Sequence, residues 1–122
     1  METEQEKVIN AYMEAAEKGD ASAQYKVGMS YAITMHDSSS ENWIKNGEYA
    51  EMWLRKSAEQ KYPQAMGMLG VMYLIGEDIA PDVEKGAQLV IEAAKLGDSS
   101  AKKAILNNLG VITQETEGKK HA

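Results

Sequence analysis

The chain has 122 residues, of which 43% are hydrophobic and 26% charged, and its formal net charge at pH 7 is -6. This length allows one domain or one short array of repeats, and the composition is that of a folded protein rather than a disordered one. The negative charge argues against non-specific nucleic-acid binding, no apolar run is long enough to insert in a membrane, and the lack of cysteine excludes disulfides, thiolate zinc sites and cysteine nucleophiles.

The N-terminal part of the chain predicts two helices joined by a glycine turn. Apolar residues at helical spacing run over about residues 4–18, and Gly19 is placed to end this helix in a left-handed conformation. Asp20 or Ser22 can cap a second helix over about residues 21–35. The apolar face of this second helix consists of Ala23, Val27, Gly28 and Tyr31.

A polar segment, residues 36–46, separates the second predicted helix from a third over about residues 47–60. It contains Trp43, and an aromatic residue in a polar loop either folds back onto the core or is offered to a partner. His36 could be grouped with Asp37 and Glu41 as metal ligands, but a solvated loop is the simpler interpretation. We therefore predict no metal site and no cofactor.

The stretch from Ser57 to Gly76 predicts a helical hairpin. Its helices are separated at Lys61, and the second begins at Pro63, because proline suits the first turn of a helix. Ala65, Leu69 and Tyr73 recur every fourth residue on one face of this second helix. Gly70, beside that face, leaves room for a neighbouring backbone.

The C-terminal part predicts two more helices and a tail. Asp82 can cap a helix over about residues 83–96, and a last helix follows over about residues 99–109. We expect this last helix to bury Ala101, Ile105, Leu106 and Leu109. Residues 111–122 lose the apolar pattern, so we expect a flexible tail.

The chain contains three copies of one pattern of small and large apolar residues. The first two copies are offset by 42 residues and the last two by 36, so the first interval carries an insertion of six. Such self-similarity is the signature of a repeat architecture. The copies are Ala16, Ala23, Gly28 and Tyr31, then Ala58, Ala65, Gly70 and Tyr73, then Ala94, Ala101, Leu106 and Leu109.

These motifs resemble Sel1-like repeats, an α-helical solenoid family related in architecture to tetratricopeptide repeats. The motifs that carry the resemblance are Ala15, Ala16 and Gly19; Val27, Gly28 and Tyr31; Ala50 and Trp53; Leu69, Gly70 and Tyr73; and Gly76 with Asp82. Lys61 departs from the family pattern at a turn glycine, and Gly86 at an alanine. The resemblance implies an all-α superhelix of about six antiparallel helices over residues 1–110, with about two full repeats and a partial repeat at each end.

The resemblance also implies that the first helix of each hairpin lines a concave binding surface. The candidate protein-binding residues are Tyr25 and Met29 from the first repeat, Gln64 and Val71 from the second, Lys103 and Asn107 from the third, and Trp43 from the insertion. Met29 and Val71 have an alternative role as packing residues. The polar ends of the others need not be buried.

The function implied by the resemblance is an adaptor that binds a protein or peptide partner, as a monomer or weak oligomer. An immunity protein that neutralises a toxin is the alternative, and a hydrolase or β-lactam-binding protein is a second one, weakened by the missing cysteines. Serines 38–40 lack the glycine elbow of a nucleophile, so we predict no enzyme activity. With Met1 as the native start we expect a cytoplasmic protein, and with a leader removed a periplasmic one.

Overall fold

The structure is a computed structural model that describes residues 2–34, 43–76 and 79–107. Its helices are α1 (Glu4–Glu17), α2 (Ala21–Thr34), α3 (Trp43–Glu59), α4 (Pro63–Ile75), α5 (Val83–Lys95) and α6 (residues 99–107). From α1 to α5, the main contacts join helices that follow one another in sequence, which is the arrangement of a solenoid. No strand occurs in the described ranges, and the predicted all-α superhelix of six helices is confirmed.

The helix ends follow the local signals of the sequence. Asp20 accepts a hydrogen bond from the backbone N–H of Ala23 at 2.8 Å and so caps α2. Asp82 caps α5 in the same way, through the N–H of Lys85 at 3.1 Å. Pro63 is the first residue of α4, as expected from its fixed φ.

Lys61 occupies the left-handed region, with φ of 63°, at the turn where the resemblance predicted a glycine. An L-residue pays about 1 kcal/mol or more in this conformation. We expect the free energy of unfolding of Lys61→Gly to exceed that of Lys61→Ala by about 1 kcal/mol in a urea titration. Both variants lose the ion pair between Lys61 and Glu92, so the difference isolates the backbone. Equal stabilities would contradict a left-handed Lys61.

The core contains two clusters of buried side chains. The larger one is centred on α3 and α4 and includes residues of α2, α5 and α6, and the smaller one joins α1 and α2 to α3. Leu54, Met66 and Leu69 are the largest fully or almost fully buried residues of the first cluster. The second cluster contains Ala16, Val27 and Trp53, all of them motif residues of the repeat.

Glycine allows α4 and α5 to touch through their backbones. A Cβ atom placed on Gly70 would lie 2.8 Å from the carbonyl oxygen of Gly86. One placed on Gly86 would lie 2.7 Å from the carbonyl oxygen of Gly70. The predicted close approach at Gly70 is therefore confirmed, and the departure from alanine at Gly86 is explained by the same contact.

Two expectations about the helices are wrong. α3 begins at Trp43 rather than near Gly47, so Trp43 starts a helix and does not lie in a loop. Gly47 is buried within α3, because an interior glycine costs only about 0.5 to 1 kcal/mol and does not by itself end a helix. Leu106 is 64% exposed rather than buried, since α6 turns Ala101 towards the core and Leu106 lies on another face.

Several sequence-based predictions concern residues outside the described ranges. They are the weak metal grouping of His36, Asp37 and Glu41, serines 38–40, Leu109 and the tail over residues 111–122. Within the ranges that the structure describes, no three His, Asp or Glu side chains are grouped to hold a metal ion. Of the described helices, none combines the length and the apolar character needed to span a bilayer.

Candidate functional site

A groove of about 210 Å³ crosses the first helices of successive hairpins, α2, α4 and α6. Its position follows from the repeat, because equivalent faces of stacked hairpins form one continuous surface. We call it the α2–α4–α6 groove. It is lined by Tyr25, Met29, Gln64, Gly67, Met68, Val71, Asp98, Ser100 and Ala101.

The groove brings together four of the seven candidate residues predicted from the sequence. These are Tyr25 and Met29 on α2, and Gln64 and Val71 on α4. The other three are Lys103 and Asn107, which are exposed on α6 but do not line this groove, and Trp43, whose side chain is outside the described part of the structure.

Tyr25 forms one aromatic wall of the groove. Its ring lies 5.4 Å from that of Tyr62 between centroids, at an angle of 46°, which is a favourable tilted arrangement. Burial raises the pKa of the Tyr25 phenol, and the charges of Tyr62 and Asp98 raise it further. The phenol therefore remains a neutral hydrogen-bond donor and acceptor at physiological pH.

The apolar part of the groove also belongs to the packing of the solenoid. Met29, Met68 and Val71 are half-buried and pack against the larger core cluster, with part of each side chain facing the groove. Met29 and Val71 thus have the packing role that sequence reasoning set against binding, and they also line the groove, while their contact with a partner stays a prediction. Methionine side chains are flexible and adapt to irregular surfaces.

Asp98 is a groove residue that sequence reasoning missed. Its carboxylate caps α6 by accepting from the N–H of Ala101 at 2.9 Å, and the residue is only 9% exposed. It lies against Gly67, where a Cβ atom would come within 2.9 Å of its Oδ2. The available sequence signal was that the Gly19–Asp20 pair occurs again as Gly97–Asp98. This repetition indicated a helix cap but gave no sign of burial.

A buried polar cluster, also unexpected, joins the first turn to α3. Ser57 is fully buried and donates to the carbonyl oxygen of Ala21 at 2.7 Å. Gln24 donates to the carbonyl oxygen of Ala16 at 3.1 Å, and Gln60 donates to the side chain of Gln24 at 2.9 Å. This cluster fixes the orientation of α2, and through it the position of Tyr25.

A second groove, of about 230 Å³, lies between α3 and α5 over α4. Its rim carries charges of both signs, and Lys61 and Glu92 form an ion pair across 3.0 Å. No residue predicted to bind a partner lines it. Its rim charges are therefore satisfied in part within the protein, in contrast to Asp98 in the α2–α4–α6 groove.

Comparisons with known proteins agree with this architecture. Residues 21–62 and 63–98 each match the Sel1 repeat family. A crystal structure of a Sel1 repeat protein from Oxalobacter formigenes is 28% identical, covers 81% of this chain and 70% of its own, and superposes with a TM-score of 0.65.

A curated relative is found in Schizosaccharomyces pombe (strain 972 / ATCC 24843). It is described as an ERAD-associated E3 ubiquitin-protein ligase component and is 31% identical over 81 residues, or 66% of this chain. The chain spans only 11% of the length of that protein. The two matched repeats, rather than this distant relative, establish the assignment: the chain belongs to the Sel1 repeat family.

Proposed function

We propose that the chain is an adaptor that binds a segment of a partner protein in the α2–α4–α6 groove. Sel1 repeats mediate protein–protein interaction. The observation that supports this location is the convergence of Tyr25, Met29, Gln64 and Val71, from two different repeats, on one groove. Such a surface, shared by several hairpins, is how solenoids bind extended ligands.

The chemistry of the groove suits a polypeptide. Met29, Met68 and Val71 offer apolar contacts to side chains, while the exposed amide of Gln64 can donate to and accept from a peptide backbone. Tyr25 adds a rigid aromatic surface with a polar end, a residue type enriched at binding hot spots. The groove therefore combines an apolar floor with a polar rim, as protein interfaces do.

The Tyr25→Ala variant tests this proposal. We expect it to bind a partner captured from the native host at least about tenfold more weakly, because an aromatic anchor that lines the groove is removed. Binding is measured by calorimetry with the purified partner. The variant loses the contact between the rings of Tyr25 and Tyr62, so we expect the melting temperature to fall by a few degrees. The protein should remain folded at about 25 °C.

The matched control is Ile91→Ala, a truncation at an exposed position on α5 away from the groove. Its affinity should stay within about twofold of the parent. Equal affinities for the groove variant and the control would move the binding surface elsewhere. The identity of the captured protein also separates the adaptor from the immunity alternative, since a toxin as the stoichiometric partner would favour the latter.

A further inference from the structure

Asp98 places a negative charge within a largely apolar part of the groove. Its Oδ2 atom accepts from the N–H of Ala101, which fixes the carboxylate against Gly67. Because the residue is 9% exposed, little water reaches this charge. Removing a carboxylate from water is costly unless a positive group compensates it.

Capping alone does not account for this burial. Asp20 holds the equivalent position two turns earlier in the array and caps α2 with the same geometry, yet it is exposed. Asp98 is buried because Gly67, the counterpart of Tyr25 in the repeat, leaves space for its carboxylate beside α4. The second repeat therefore differs from the first by a charge set into the groove.

No positive side chain within the described residues neutralises Asp98. The ion pairs among the described residues do not include Asp98: they join Lys7 to Glu4, Lys18 to Glu14, Arg55 to Glu51 and Lys61 to Glu92. The field of Asp98 reaches across the groove, where it contributes to the raised pKa of Tyr25. A cationic ligand would meet both this carboxylate and the electron-rich face of an aromatic ring.

We propose that the α2–α4–α6 groove binds a lysine or arginine side chain of the partner segment, with its charged group on the carboxylate of Asp98. The alkyl stem of such a side chain lies along Met29 and Val71, and the ring of Tyr25 adds a cation–π contact. The net charge of -6 steers a basic segment towards this surface. This inference rests on the proposed function, since it defines the partner that the groove accepts.

The experiment selects ligands from a random nonapeptide phage library displayed against the immobilised full chain. We expect the selected peptides to be enriched in lysine or arginine at one position. On the unmodified protein, replacing that residue by glutamine in a synthetic peptide should weaken binding at least about tenfold, measured by fluorescence anisotropy. This arm needs no protein variant, so it cannot be confounded by misfolding.

The Asp98→Asn variant should bind the basic peptide with an affinity lowered by a similar factor. Asparagine retains the oxygen that caps α6, so the variant should fold and melt within a few degrees of the parent. Asp20→Asn is the matched control, because it changes the equivalent cap outside the groove, and its affinity should remain within about twofold. Higher salt should lower the affinity of the parent protein for the basic peptide more than its affinity for the glutamine peptide.

The results separate the two proposals. The role of Asp98 would be overturned if the selected peptides had no preference for a basic residue, or if they bound Asp98→Asn as tightly as the parent. The groove would remain the binding site in that case, provided that Tyr25→Ala lowered their affinity. Failure to select any peptide, or selected peptides unaffected by Tyr25→Ala, would overturn the groove itself and this inference with it.

Discussion

Gly70→Leu is expected to lower the free energy of unfolding by about 3 kcal/mol or more. The reason is that a new Cβ at this position lies only 2.8 Å from the backbone carbonyl oxygen of Gly86, which cannot move aside, and equally close to a methyl group of Val90. α4 and α5 would have to separate, which removes contacts of Val90 and Leu89 as well. The free energy of unfolding of a domain is about 5 to 15 kcal/mol in total, so the loss should be visible in a urea titration.

The matched control for this variant is Gln88→Leu, which adds the same side chain at an exposed position of α5. We expect its free energy of unfolding to stay within about 0.5 kcal/mol of the parent. If the Gly70 variant were as stable as this control, the backbone contact between α4 and α5 could not exist.

Leu69→Ala is expected to cost about 2 to 5 kcal/mol. Leu69 is 2% exposed and belongs to the larger core cluster, so truncation leaves a cavity that its neighbours fill only in part. The loss should appear as a lower urea midpoint with little change in slope, which distinguishes a less stable fold from a less compact one.

Leu106→Ala makes the same chemical change at a residue that is 64% exposed. Its cost should be below about 0.5 kcal/mol, since little apolar surface is removed from water at this position when the chain folds. Comparable losses at the two leucines would mean that the assignment of core and surface is wrong.

The features that could be predicted from the sequence depend on local chemistry or on the repeat. Asp20, Asp82 and Pro63 each determine a helix start through one backbone group, so no knowledge of tertiary structure was needed. Gly70 could be predicted to lie in a close contact, because a glycine between large apolar residues of a helix has little other use.

The features that could not be predicted depend on which segments meet. Gly47 looked like a helix boundary, but tertiary packing tolerates it within α3. Leu106 matched the apolar pattern of the repeat, yet no neighbouring helix in the described ranges covers it. Burial of Ser57 depends on the carbonyl oxygen of Ala21, a partner distant in sequence.

The candidate site was predictable to a similar extent. Repeat position was enough to bring Tyr25, Met29, Gln64 and Val71 onto one surface, because equivalent residues of stacked hairpins align. Repeat position did not separate Lys103 from the groove, nor did it indicate Asp98. Both depend on how far α6 is turned relative to α4, an angle that side-chain packing sets and that a pattern of residue types does not encode.

The path of contacts through the solenoid gives the α2–α4–α6 groove a mechanical role. α2 and α4 line the same groove, but their main connection runs through α3, and α4 is joined to α3 on one side and α5 on the other. We therefore expect the width of the groove to vary with bending of the whole array. A ligand that touches α2 and α6 at once would then resist this bending, which would couple its binding free energy to the stiffness of the array.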